Sequence, residues 1–251
     1  KEKYGDDIPT RYHPLIRSRE ACLKSSSLAA RLARKYNGRL HILHLSTAEE
    51  LSLLDTGERT GKQITGEACV HHLWFNDSAY LTKGNFVRWN PAIKTESDRK
   101  ALIKAINEGV IDIIATDHAP HTIAEKSGVY TKAASGGPLV QHSLAVMLEL
   151  MEKGETTLEN IVDKMCHAPA ELFQIENRGF IRPGYKADLC IFGKEQWTVS
   201  KDNILYQCGW SPLEGQTFSY RVQTTLVNGK IVYDKGTFPS DSKGELLTFK
   251  R

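Results

Sequence analysis

What the sequence lacks narrows the field first. No apolar run approaches the length needed to cross a bilayer, and the opening Lys1-Glu2-Lys3-Tyr4-Gly5-Asp6-Asp7 is no signal peptide. No initiating Met stands at position 1, so the chain is expected to begin partway through a longer polypeptide. Cysteine is sparse: Cys22, Cys69, Cys166, Cys190 and Cys208 are an odd number, scattered, without a CxxC pair. This spacing argues against a disulfide framework and against a thiolate zinc site, and it predicts reduced, mostly buried thiols in the cytoplasm. An excess of one charge is missing too. Lys and Arg total 33 against 30 Asp and Glu, a net +3, which leaves no sign of a nucleic-acid or anionic-membrane partner. A chain of 251 residues can still bury a real core, as one large domain or one domain with a smaller partner.

What is present is an alternation. Ser18 can cap a helix running to about Tyr36 and closed by Asn37-Gly38, with Ala21, Leu28, Leu32 and Tyr36 along one face. The preceding Pro9 to Pro14 stretch reads as loop. A strand over 40–45 ends beside His44, and Thr47 and Glu50 then stand at capping-box spacing before a short helix. A second strand, 63–70, delivers His71 and His72, and a third, 86–90, ends at Asn90-Pro91. Ser97 is placed to cap a helix stopping at Gly109, and the β-branched strand 110–116 halts at Asp117. Four strands with polar ends and intervening helices predict a parallel α/β arrangement.

The later chain has another texture. Residues 123–137 form a long polar connection of the kind that serves as a lid or binding loop. Helices over 141–153 and 158–166 and a helical turn over 168–173 follow, then strands at 187–192, 222–227 and 230–233, the last two flanking the hairpin signal Asn228-Gly229. This places a boundary near residue 175: 1–174 as the α/β part and 175–251 as a small β segment with the C-terminal tail.

His44, His71, Asn90 and Asp117 fall at four successive strand ends, where an α/β barrel keeps its active site. Two His and one Asp suit zinc with coordination positions open to water. Each alone has a structural alternative: a hydrogen-bonded imidazole for either His, and a loop cap for Asp117.

His41-Ile42-Leu43-His44-Leu45-Ser46-Thr47, Val70-His71-His72-Leu73, Asn90-Pro91-Ala92-Ile93 and Thr116-Asp117-His118-Ala119-Pro120-His121 resemble, in order, motifs of the bacterial-type (class I) dihydroorotases of the amidohydrolase superfamily. Gly179 to Leu189, Ser211-Pro212-Leu213-Glu214-Gly215 and Val227-Asn228-Gly229-Lys230 are similar to that superfamily's β segment. The resemblance implies the C-terminal half of a metal-dependent (β/α)8 TIM-like barrel plus strands of a small β-sandwich domain. It implies one or two Zn2+ ions, with His44 and His71 on one and Asp117 at the second position and acting as proton shuttle. Asn90 and His121 would hold the substrate, His121 near its carboxylate. His72 would pack or orient its neighbour, and His118 would hydrogen-bond behind the site. His13, His41, His142, His167 and all five Cys would be structural. The implied reaction is the reversible hydrolysis of dihydroorotate to N-carbamoyl-aspartate in pyrimidine biosynthesis, by a cytoplasmic homodimer with no nucleic-acid or membrane partner.

The chain departs from the resembled pattern. It carries no His-x-His pair before residue 41, no Arg two residues beyond one, and no bridging mid-barrel Asp or carboxylated Lys; Val70 replaces a usual Pro and Lys94 a usual Arg. A half barrel exposes strand edges, so residues 1–251 alone are expected to aggregate or need a complementing half, and to be inactive. A hydantoinase- or allantoinase-type cyclic amidohydrolase, or a non-catalytic assembly partner, are the competing readings.

Overall fold

A computed structural model describes residues 2–239 and 243–250. One compact unit comprises Lys1–Ser143 and Val199–Gln216. Its sheet has three short parallel strands, β1 (Leu40–Ile42), β2 (Ile64–Cys69) and β3 (Ile113–Ala115), with β2 in the middle. Every residue of β2 is buried, as expected of a parallel strand covered on both faces. Helices α1 (His13–Ile16), α2 (Arg19–Lys35), α3 (Val70–Trp74), α4 (Ala79–Lys83), α5 (Glu96–Asn107) and α6 (Ile123–Lys126) are interspersed with the strands. The core gathers Ile64, Ala68, Leu73, Trp89, Leu102 and Ile106.

Ser18 caps α2, its hydroxyl accepting the Ala21 N–H at 3.3 Å. The helix turns Cys22, Ser26 and Ala30 inward: Ser26 donates to Glu50 at 2.6 Å, Cys22 Sγ lies 3.9 Å from Ser46 Oγ, and Ala30 is buried. The stripe marked by hydrophobicity is therefore outside, with Leu28, Leu32 and Tyr36 all exposed.

Several expected elements change form for local reasons. The strand expected over 86–90 is a 3-10 turn, Gly84–Val87, followed by irregular chain, so the described residues hold three parallel strands rather than four. Its carbonyls are already taken. Arg88 O accepts from Gly136 N–H and from Lys126 Nζ, and Trp89 O bonds His13 Nε2 at 2.6 Å. Helix α5 is capped by Thr95, not Ser97: the Thr95 hydroxyl accepts the Asp98 N–H and the Asp98 carboxylate accepts the Thr95 N–H. After β1 comes a 3-10 helix, Glu49–Leu53, without a capping box; Thr47 spends its hydroxyl on the Glu50 side chain at 2.8 Å. The Pro9 to Pro14 stretch forms a 3-10 turn and α1, with Pro14 in the first helical turn where its missing N–H costs nothing.

The other unit comprises Leu144–Thr198 and Thr217–Arg251. It contains α7 (Ser143–Glu152, from its second residue), α8 (Leu158–Val162) and α9 (Ala168–Leu172), the last two joined by a π-helical turn over Asp163–His167. Strands β4 (Leu189–Thr198), β5 (Thr217–Val227) and β6 (Lys230–Asp234) form an antiparallel sheet in that order. Asn228 and Gly229 turn between β5 and β6 with φ of 52° and 77°, the paired positive values of a type I′ hairpin. Glu149 accepts the Ser219 N–H and Glu152 the Tyr220 hydroxyl, both at 3.0 Å, tying α7 to β5. This unit thus groups these helices with the strands; α9 ends at Leu172 and β4 begins at Leu189.

All five cysteines are free, but only Cys69 is buried. Cys190 lies on the half-exposed β4 and Cys166 on the π turn, so the expectation of mostly buried thiols fails at both. No helix among the described residues is long and apolar enough to cross a membrane.

Candidate active site

The carboxyl ends of the parallel strands carry the predicted residues, and two of them share an unusual backbone. His44 and Asp117 each lie two residues past a strand end, β1 and β3, with φ of 42° and 45°. Such left-handed values are strained for residues with a Cβ and collect at functional sites. His44 is half-buried, and its N–H points at Glu67 Oε1 at 3.4 Å. Asp117 is exposed.

His71 is the second residue of α3, which begins directly after β2. It is 1% exposed, and neither ring nitrogen has a hydrogen-bond partner. Its ring stacks on Trp89 at 4.5 Å with 11° between planes and lies 4.1 Å from the His72 ring. Burial first, then the neighbouring His72 and His44, push its pKa well below the usual value, while the Thr116 carbonyl pulls weakly the other way without completing a hydrogen bond. A neutral imidazole with an unused lone pair is what a metal ligand requires. His72 is also neutral: burial lowers its pKa to about 3, its Nε2 donates to Pro91 O at 3.1 Å, and Nδ1 keeps its lone pair.

Ligand atoms of Cys69, His71 and His72 lie within 4.8 Å of one another, the one such cluster found among the described residues. His44 and Asp117 stand outside it, although His44 is near enough to act on both imidazoles and Asp117 on the Cys69 thiol. Burial raises that thiol well above its ordinary pKa, with Glu67 and Asp117 adding to the shift. The orphaned nitrogens of His71 fit a bound cation, and sequence reasoning gave no hint of Cys69.

Two cavities of about 470 Å³ each sort the remaining residues. His44 and Asn90 share one with Arg17, Ser26 and Glu50. His121 lines the other with His118, Glu125, Tyr206 and Cys208. His121 Nε2 donates to Ser135 O at 3.0 Å, which leaves Nδ1 for a ligand, with Glu125 3.9 Å away. His118 Nδ1 accepts the Leu139 and Val140 N–H groups at 3.0 and 3.3 Å, so it braces backbone.

The 123–137 connection is closely tied down. Lys126 is fully buried, its ammonium 3.3, 3.0 and 2.7 Å from the carbonyls of Arg88, Ala134 and Gly136, and burial lowers its pKa to about 7. Arg88 bonds the Tyr130 and Ala133 carbonyls and covers the Tyr130 ring at 4.1 Å. His13 is buried between Trp89 O and the Tyr130 hydroxyl, the latter at 2.7 Å. Sequence reasoning missed Trp89, Glu67 and Lys126. A carboxylate inside an apolar strand was a usable signal for Glu67, whereas a lysine in a polar loop gave none for Lys126.

Three parallel strands thus bring His44, His71 and Asp117 to or just past their carboxyl ends, as in an α/β chain whose site lies at the strand tips. Residues 24–232 match the family model described as "Amidohydrolase family", and the chain belongs to that family, which is generally metal-dependent. It is 36% identical over 194 residues to a dihydroorotase of Anaplasma phagocytophilum, covering 77% of this chain and 43% of that protein. To a dihydroorotase of Pyrococcus furiosus it is 35% identical over 211 residues, 84% of this chain and 49% of the other. The chain spans about half the length of the curated relatives it matches. A D-hydantoinase (dihydropyrimidinase) from Thermus sp. superposes with a TM-score of 0.85 at 20% identity, over 96% of this chain and 54% of that one. The L-hydantoinase of Arthrobacter aurescens gives 0.82 at 24%, over 90% and 51%. These likenesses show the fold: part of a TIM-like barrel with additional strands.

Proposed function

We propose that the protein is a zinc-dependent dihydroorotase, opening the cyclic amide of L-dihydroorotate to N-carbamoyl-L-aspartate and closing it in pyrimidine biosynthesis. The observation that carries the reading is His71, wholly buried with neither ring nitrogen bonded; the dihydroorotase relatives support the choice of substrate. His44 and His71 would hold the metal, with Asp117 contributing to a second position. A zinc ion held by these residues would lower the pKa of water and polarise the amide carbonyl. Asp117 takes the proton of the attacking water as the O–C bond forms and gives it to the ring nitrogen as the C–N bond breaks. Cyclisation reverses both transfers. Asn90 orients the ring from the His44 cavity. His121, its Nε2 3.0 Å from Ser135 O, would face the substrate carboxylate. The protein is taken to act in the cytoplasm as a homodimer, with residues 1–174 contributing to the barrel and 175–251 to a small β domain.

Turnover of dihydroorotate, hydantoin and allantoin by the full-length protein, with metal analysis, tests this. Dihydroorotate should be the preferred substrate and zinc should co-purify. Preference for hydantoin or allantoin would assign another cyclic amidase, and a metal-free, inactive protein would favour an assembly role.

A further inference from the structure

A charge inside a wholly buried strand needs partners, and those of Glu67 belong to the segment that carries His44. The Glu67 side chain is nearly buried; Oε1 accepts the His44 N–H at 3.4 Å, and Oε2 lies 3.2 Å from His41 Nε2. The Glu67 main-chain carbonyl takes the next N–H, from Leu45, at 2.8 Å. Thr65, on the same face of β2, holds the other His41 nitrogen at 2.9 Å. One residue thus binds two consecutive N–H groups and the ring that precedes them. Between those contacts the backbone passes through the left-handed value of 42° at His44, which an unsupported histidine seldom adopts.

We infer that Glu67 is a positioning residue, holding the turn past β1 in the one conformation that presents the His44 imidazole to the candidate metal site. This rests on the reading of His44 as a ligand given above. The role is geometric. Glutamine at 67 keeps an oxygen for the His44 N–H, whereas aspartate keeps the charge but, one methylene shorter, falls short of it.

The test is zinc affinity of the full-length protein, by chelator competition, for Glu67→Gln, Glu67→Asp, Glu67→Ala and His44→Ala, with the visible bands of the cobalt-substituted forms and hydrogen exchange at the His44 amide. Glu67→Gln should bind zinc within about threefold of wild type, and Glu67→Asp and Glu67→Ala about 10- to 100-fold more weakly, the usual loss when a group behind a ligand is removed. The cobalt bands should shift, and the His44 amide exchange faster, only in the latter two. Wild-type affinity in Glu67→Asp beside a loss in His44→Ala would overturn the inference and leave the ligand reading standing. Equal losses in Glu67→Gln and Glu67→Asp would overturn it too, since charge or folding would then explain them. Unchanged affinity in His44→Ala would instead remove the ligand reading. If Glu67→Ala does not fold, the Gln and Asp pair decides.

Discussion

The two sheets of this chain invert each other's priorities. The parallel sheet has short strands, a central one buried at every residue with Thr65 and Glu67 inside it, and the candidate site residues at or just past the strand ends. The antiparallel sheet has long strands, ten and eleven residues in β4 and β5, most of them half-exposed. In the first, the polar groups of the central strand and of His71 and His72 beyond it are desolvated, so pairing or its absence decides the energetics. In the second, water stands in for a missing partner. Chemistry belongs where an unpaired nitrogen is costly, as at His71.

The sharpest way to break that contrast is His71→Ala in the full-length protein. Under the ligand reading, kcat/KM for dihydroorotate should fall about a thousandfold or more, roughly 4 kcal/mol of transition-state stabilisation, with zinc content dropping in parallel. Retained activity would place the metal elsewhere.

Ion pairs should separate the regions next. Lys62 and Asp112 are buried together at 2.8 Å, with Asp112 also accepting the Gly66 N–H at 3.0 Å. Asp112→Ala strands the ammonium and should cost about 3–5 kcal/mol in urea unfolding. Lys194 and Glu152 lie 2.9 Å apart but largely solvated, and Lys194→Ala, which leaves the Glu152–Tyr220 bond in place, should leave the unfolding midpoint unchanged. Similar losses in both variants would erase the distinction.

Acid should act through the buried imidazoles of residues 1–143. Burial lowers His13 and His142 to about 4. In the unfolded chain each titrates near 6.5, so between about pH 6.5 and 4 the unfolded state binds more protons and stability rises with pH. This stability is fully present above about pH 6.5 and is lost on acidification at up to about 1.4 kcal/mol per pH unit for each group. Urea titrations across that range should show the slope, and His13→Gln should flatten it; an unchanged slope would mean that His13 is charged in the fold.

Glycine replacements give the smallest effect. A Cβ on Gly66 of β2 would lie 2.7 Å from Leu45 Cδ1 and 2.9 Å from Leu54 Cδ2, so Gly66→Ala should cost about 1–3 kcal/mol. On Gly193 of β4 it would meet only the mobile end of Gln223 at 2.9 Å, and Gly193→Ala should be close to neutral by thermal unfolding.

The sequence made the parallel βα order, the Ser18 cap and the Asn228-Gly229 hairpin legible because each rests on neighbouring residues. It misplaced the segment before Asn90 because β-propensity cannot reveal that His13, Lys126 and Gly136 take the Arg88 and Trp89 carbonyls. It chose the wrong stripe of α2 because the helix docks through small and polar side chains. At the candidate site, motif order pointed to His44, His71 and Asp117, and the structure adds the left-handed turns at His44 and Asp117 and the bare nitrogens of His71. The groups behind them, Glu67 and Trp89, act across distances of 23 and 18 residues that no local pattern encodes.

The left-handed backbone at His44 and Asp117 also sets two kinds of selection against each other. Glycine at either position would relieve about 1–2 kcal/mol of steric cost. A library screened for thermal survival alone would therefore enrich glycine at 44 and 117, and a library screened for turnover would discard those same clones. Comparing the two screens would locate the working end of the sheet without any assay of mechanism.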